Sequence, residues 1–402
     1  MMRARMLRWL LGASACVCAE TVSAQTGPML HYSLDFEVSA TDFVDTIKIE
    51  WQRHQVYVPV VIDGKVLRFL LDTGAGQTVV FDDAPIRGAQ PAGWIKTLDA
   101  LGRRDSVPVV TLPPMQIGSE RFTGCRAIVQ HRVVRRQTVD GILGFDIFAK
   151  GLCAKIDVRA GILVLTDRRR FFDVEGGAEV KYKLKYHTPY LRVNPFGRYR
   201  EQACFDTGSR QVYAINYESF RQGEERTRPE MVSPLIEGRC TGRYAMGHSG
   251  TERLGEVLFL HFPQFYIGTL PLCDLHTLTT QGTSHVGAGV LEHCAVIINP
   301  HRRRLIFQPY EGYDRVVVDN RQTEIAFVAD RGLPVVGLVW EQGIPYQQGF
   351  RVGDVIIRID GRPVNDFSSF ALWPYEQGRE YTFTVYRNDG QHDLRWVRLP
   401  KE

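Results

Sequence analysis

Phe69-Leu70-Leu71-Asp72-Thr73-Gly74-Ala75 and Ala203-Cys204-Phe205-Asp206-Thr207-Gly208-Ser209 are two renderings of one phrase in a chain of 402 residues. In each, an apolar run that reads as a buried strand stops at an acidic residue, and the Thr-Gly that follows turns the chain sharply. A lone Asp-Thr-Gly reads as an ordinary turn, because turns favour Asp and Gly. Two copies at matching places do not. Upstream, 57–64 leads through 67–71 into Asp72, as 188–194 leads through 202–205 into Asp206. Downstream, Ile117-Gly118 precedes Cys125 as Ile267-Gly268 precedes Cys273, and the strand-turn-strand pattern that begins at Cys153 begins again at Cys294. Internal repetition of this kind marks duplicated structure. It predicts two homologous β-rich lobes, 25–176 and 177–312, with Asp72 and Asp206 meeting where the lobes join.

Composition agrees with a mainly β chain of two or three domains. Hydrophobic residues make up 44%, and 37 glycines with 20 prolines punctuate short Val-, Ile-, Tyr- and Phe-rich runs. Lys and Arg number 49 against 45 Asp and Glu, a net charge of +4 that is spread along the chain. No nucleic-acid partner is implied.

Arg3, Arg5 and Arg8, the apolar stretch 9–19 and Val22-Ser23-Ala24 read as a signal peptide over 1–24, with a mature start near Gln25. The expected location is therefore periplasmic, outer-membrane-associated or secreted. A membrane anchor arises only if Cys16 is lipidated. Six cysteines remain after cleavage: Cys125, Cys153, Cys204, Cys240, Cys273 and Cys294. An even number in an exported chain suggests disulfides, with fifteen pairings open. Stapling both copies alike gives Cys125–Cys153, Cys273–Cys294 and, by remainder, Cys204–Cys240. Neither Cys-x-x-Cys nor His-Glu-x-x-His spacing occurs, so neither metal nor cofactor is expected.

Two carboxylates about 3 Å apart repel by roughly 5 kcal/mol at an effective dielectric near 20, equivalent to about four pKa units. They must share a proton. Such a pair holds a base and an acid at one pH: the ionised member draws a proton from water while the protonated member polarises a carbonyl.

On these residues the chain resembles the two-lobed pepsin-like and retropepsin-like aspartic peptidases. The resemblance implies a catalytic dyad of Asp72 and Asp206, loops completed by Gly74, Ala75, Gly208 and Ser209, and buried braces at Thr73 and Thr207. It also implies a support segment at Ile142-Leu143-Gly144, with a poorer counterpart at 286–289. A flap over the substrate is expected from 94–110, its tip at Leu101-Gly102-Arg103, without the pepsin-type tyrosine. Ser209 is expected to donate its hydroxyl to Asp206, making Asp206 the base and Asp72 the proton holder. A single chain supplies both aspartates, so the expectation is a monomeric endopeptidase acting on polypeptides. The alternative is a peptide-binding protein with little turnover on the same scaffold.

Residues 323–402 resemble a bacterial-type PDZ domain through Gln348-Gly349-Phe350-Arg351-Val352-Gly353-Asp354 and the run to Gly361. Such domains add an extended peptide to a sheet edge and hold its terminal carboxylate on backbone N–H groups. The expected contacts for a peptide C-terminus are Arg331, Gly332, Leu333 and Val335, with 335–339 as the edge strand. The run 247–251 faintly resembles a serine-nucleophile turn but reads as a loop.

Overall fold

The computed structural model describes residues 27–99, 101–132, 139–247, 250–312, 314–376 and 378–397. The expected signal segment, with Cys16, lies outside the described residues, as do His248 and Ser249 of the serine-like turn. Strands dominate, and the longest helix among the described residues, Tyr217–Glu225, has nine residues. None of the described helices is long and apolar enough to cross a membrane.

Each lobe is built on a hairpin that ends at its aspartate. In the first, Gln55–Ile62 pairs with Lys65–Leu71 in a register running from Tyr57↔Leu70 to Ile62↔Lys65. Asp63 and Gly64 close it with φ of 51° and 71°, the conformation of the tight turns that match strand twist. Alternation along the second strand buries Leu67, Phe69 and Leu71. The strand thus delivers Asp72 from a fully packed position. In the second lobe Thr188–Asn194 pairs with Glu201–Asp206 and does the same for Asp206.

The repeats meet in a shared platform. Val44–Lys48, Ile162–Thr166, Cys153–Asp157, Cys294–Asn299, Arg304–Pro309 and Ala178–Lys185 lie side by side in that order. At its centre Ala154↔Ile298 and Ile156↔Val296 pair antiparallel, so the two duplicated segments hydrogen-bond to each other about a pseudo-two-fold axis. One continuous apolar core runs through both lobes, including Phe69, Phe145, Phe205 and Phe307.

The cysteines do not pair: all six are free thiols. Repeat symmetry fails as a guide because the expected partners sit in separate layers. Cys125 belongs to the main core, whereas Cys153 packs on the platform's other face with Val164, Phe172 and Ile297. Cys294 lies in the platform while Cys273 lies in the outer strand Leu270–Thr280. Cys204 is buried beneath Asp206, and Cys240 faces the third domain. These thiols serve as small apolar side chains. Burial pushes Cys125 and Cys294 up to about 12 and Cys153 and Cys240 up to about 11, which leaves them inert.

The third domain has its own core around Val336, Phe350, Ile356, Phe383 and Val385. Its main strands run in the order Ile325–Asp330, Leu333–Val339, Val355–Ile359, Glu380–Arg387, Gly390–Val397. The predicted edge is therefore displaced by one strand. Arg331 and Gly332, with φ of 49° and 79°, form a two-residue turn that folds Leu333–Val339 back along Ile325–Asp330. Leu333 and Val335 thus belong to an inner strand, and Gly332 O accepts from Phe367 N at 2.7 Å. The outermost strand on that side is Ile325–Asp330, covered at Ala329 by the second lobe and packed against helix Phe367–Ala371 through Phe327 and Phe370, whose ring centroids are 4.8 Å apart.

This domain docks on the second lobe. Trp340 stacks on Phe259 at 5.6 Å, Arg243 pairs with Asp330, and Arg243 N donates to Gly337 O at 2.7 Å. A Cβ at Gly337 would lie 2.3 Å from the Arg243 carbonyl oxygen, so only glycine fits.

Candidate active site

The two Asp-Thr-Gly loops interlock across the pseudo-two-fold axis. Thr73 N donates to Thr207 Oγ1 at 3.0 Å, and Thr207 N donates to Thr73 Oγ1 at 3.1 Å. Each hydroxyl then donates across the axis, Thr73 to Phe205 O at 2.6 Å and Thr207 to Leu71 O at 2.7 Å. Both threonines are fully buried. Every polar group in this knot has a partner, which is what permits polar atoms at the centre of a core.

The knot brings the carboxylates face to face. A Cβ at Gly74 would lie 2.4 Å from Asp206 Cγ, and a Cβ at Gly208 would lie 2.5 Å from Asp72 Cγ. Asp72 and Asp206 are within side-chain hydrogen-bonding reach of one another. Each carboxylate also accepts from its own loop: Asp72 Oδ1 from Gly74 N (2.8 Å) and Ala75 N (3.1 Å), Asp206 Oδ1 from Gly208 N (3.0 Å) and Ser209 N (3.2 Å). Burial and then the nearby Asp206 charge hold Asp72 well above the usual carboxylate range, against the opposing pull of those N–H groups.

Support segments stand behind both loops. Gly141–Leu143 runs parallel to the Asp72 strand with Leu143 opposite Leu71, Leu143 O accepts from Asp72 N at 3.0 Å, and Phe145 N donates to Ala75 O at 2.7 Å. At Gly144 a Cβ would sit 2.6 Å from the Gln77 carbonyl carbon. In the second lobe His285–Gly287 runs parallel to the Asp206 strand, and Ala288 N donates to Ser209 O at 2.7 Å. The counterpart of Ile142-Leu143-Gly144 is thus His285-Val286-Gly287, one residue earlier than the 286–289 predicted.

His285 is the site residue that sequence reasoning missed. Its Nε2 meets Ser209 Oγ at 2.9 Å while its Nδ1 faces Thr283 O at 3.0 Å. The carbonyl can only accept, so Nδ1 carries a hydrogen there, and in that tautomer Nε2 accepts from the Ser209 hydroxyl, which was expected to serve Asp206. The signal lay in a polar residue at an apolar support position, matched by Ser209 where the first lobe has Ala75.

The cleft over the dyad has a volume of about 3310 Å³ and runs on to the linker and the edge strand of the third domain, where Ile325, Phe367 and Phe370 line it. Hairpin Gln90–Leu98 and Arg104–Thr111 stands over it. Leu101, Gly102 and Arg103 lie in the hairpin tip, which Asp99 Oδ1 organises by accepting from Leu101 N and Arg103 N. The tip reaches the small second-lobe hairpin Met246–Gly247 and Gly250–Thr251, where Arg103 donates to Thr251 O. Thr251 Oγ1 in turn donates to Ala329 O of the third domain at 2.7 Å. Near the cleft Tyr32 stacks on His187 at 3.6 Å, a pairing from distant segments with no local signature.

Residues 58–147 match the family model described as aspartyl protease. The chain carries an aspartyl protease domain. Residues 318–396 match the PDZ domain model, so the third domain is a PDZ domain. The crystal structure of the aspartic proteinase from Irpex lacteus is similar at 13% identity and a TM-score of 0.43, over 67% of this chain and 98% of that one. Among curated proteins, none matches the chain significantly. The protease match holds Asp72 and its support segment but stops before Asp206, which sits at the equivalent place of the second lobe.

Proposed function

We propose that the protein is an exported aspartic endopeptidase in which Asp72 and Asp206 share one proton and activate a water for attack on a peptide carbonyl. The observation that carries this reading is the reciprocal approach of each loop glycine to the opposite carboxylate, which holds the two acids side by side and leaves no room for a side chain between them. In the proposed reaction Asp72, with its raised affinity for protons, holds the shared proton and donates toward the carbonyl oxygen. Asp206 takes a proton from the attacking water. The tetrahedral intermediate collapses as Asp206 passes its proton to the leaving amine and a hydroxyl of the intermediate returns one to Asp72, so the dyad is restored without a covalent intermediate. The water-bound dyad and flap would enclose an extended substrate, and one chain supplies the whole site.

The PDZ domain would recruit peptide at the Ile325–Asp330 edge, whose surroundings open into the same cleft. The test is digestion of a denatured polypeptide mixture from acidic to neutral pH by wild type and by Asp72→Asn, with and without chelator. Cleavage by wild type alone, unaffected by chelator, is expected. Equal cleavage by both proteins, or none by either, would leave the protein a binder or a hydrolase of another kind.

A further inference from the structure

We propose that the outer sheet of the second lobe carries a binding site for one zinc-type divalent ion, formed by Glu237, His261 and His276 and separate from the dyad. The three residues come from three neighbouring strands, Ile236–Gly242, Gly255–Ile267 and Leu270–Thr280, and one donor atom of each lies within 4.8 Å of one from each of the others. His261 and His276 are direct cross-strand partners with rings face to face, centroids 4.3 Å apart and planes at 10°. Nothing in the local sequence pattern announces this, because the pairing register alone brings the imidazoles together.

Each imidazole already has a carboxylate on one nitrogen. His261 Nε2 meets Asp274 Oδ1 at 2.7 Å, and His276 Nδ1 meets Glu237 Oε2 at 2.9 Å. Imidazoles that bind metal characteristically use one nitrogen for the ion and hand the other to a carboxylate or carbonyl, which fixes tautomer and ring direction. Asp274 does that for His261 and leaves Nδ1 for the ion, whereas the carboxylate on His276 is Glu237, itself a ligand, so the ion takes the place of that hydrogen bond. The surroundings orient the remaining donors. Gln322 Nε2 donates to Glu237 Oε2 at 2.9 Å, and the Asn320 side chain grips the His276 backbone at both N and O, each at 2.8 Å.

Two imidazoles and one carboxylate form a nitrogen-rich set that suits zinc and its first-row neighbours; magnesium and calcium prefer oxygen throughout. Water would fill the remaining positions. Closure on an ion requires the two rings to turn out of their parallel stack so that both planes contain it. Gln322 and Asn320 belong to the linker that enters the PDZ domain, so a bound ion would also fasten that linker to the second lobe.

The experiment is titration of metal-stripped protein with Zn²⁺ by calorimetry, and with Co²⁺ by visible absorption, on wild type, Glu237→Gln, His261→Gln, His276→Gln and Asp72→Asn. One equivalent is expected in wild type and Asp72→Asn, with affinity at least tenfold weaker in the other three variants. Melting of the metal-free variants at the wild-type temperature establishes that they fold. Should a variant fail that check, ¹⁵N spectra of wild type provide the second reading, in which Zn²⁺ must move the ring signals of His261 and His276 and no other histidine. Less than stoichiometric binding, unchanged affinity in the three variants, or unmoved ring signals would overturn the site.

Discussion

The two lobes deliver the same carboxylate by the same hairpin and then differ in what stands around it. Behind Asp72 the chain places Ala75 and Ile142, both apolar; behind Asp206 it places Ser209 and His285, hydrogen-bonded to each other. The backbone is alike on both sides, with Phe145 N on Ala75 O and Ala288 N on Ser209 O at 2.7 Å each. A duplicated frame thus fixes where two acids stand, while the side chains around them differ. The difference teaches that the frame and the polar surroundings of each carboxylate are set by separate residues, and each can be perturbed alone.

The largest effect addresses the shared frame. Asp72→Asn and Asp206→Asn should each lower kcat/KM by about 10³-fold or more, since either change removes the acid–base pair. Steady-state peptide hydrolysis checks this, and a variant retaining a tenth of wild-type activity would break the equivalence of the lobes. Stability should move the other way. Asp72 binds its proton more tightly folded than unfolded, so the unfolded chain loses it first as pH rises above about 4, and folding is penalised from there upward. Asp72→Asn lacks that penalty. Thermal melts should place it above wild type at pH 7 and level with it at pH 3.

Next come the braces. Thr73→Ala leaves Thr207 N buried without a partner and Phe205 O with only the weak Cys204 thiol, and Thr207→Ala removes the hydroxyl that serves Thr73 N and Leu71 O. Each should cost about 2–4 kcal/mol in urea unfolding. Unequal losses would show that the knot is less symmetrical than its bond lengths.

A smaller effect sharpens the difference between the lobes. Because the Ser209 hydroxyl is engaged by His285, Ser209→Ala should change kcat/KM by less than about threefold, within the scale of a single neutral hydrogen bond. His285→Ile, which copies the first lobe's Ile142, frees that hydroxyl to turn toward Asp206 and should lower the acidic limb of the pH–rate profile. A shift with Ser209→Ala in place of His285→Ile reverses the assignment. The smallest effect is at the flap. Arg103→Ala removes the contact with Thr251 O and should alter KM by a few fold while kcat holds.

Much of this architecture could be read from the chain. The duplicated apolar runs ending in Asp-Thr-Gly, the hairpin with Gly102 at its tip and the change of pattern near residue 323 are local features, and local physics writes them into local sequence. What escaped was set by long-range pairing. Strand order in the PDZ domain depends on which strand Leu333–Val339 folds against, although Arg331-Gly332 between two β-rich runs carried a readable hairpin signal. The free cysteines depended on which layer each thiol faces, and spacing does not encode that. His285 was hidden because the support segment was aligned on glycines alone, and Tyr32 and His187 meet only once the chain has folded.

The approach of Gly74 to Asp206 and of Gly208 to Asp72 has a consequence for how such a chain can vary. Elsewhere the two repeats are free to drift apart, and they have, one acquiring the nine-residue helix and the other the roofing hairpin. At the axis neither copy owns its own residues: an added methyl in one half collides with the acid of the other. The ancestral symmetry is therefore held in place at that spot by mutual obstruction.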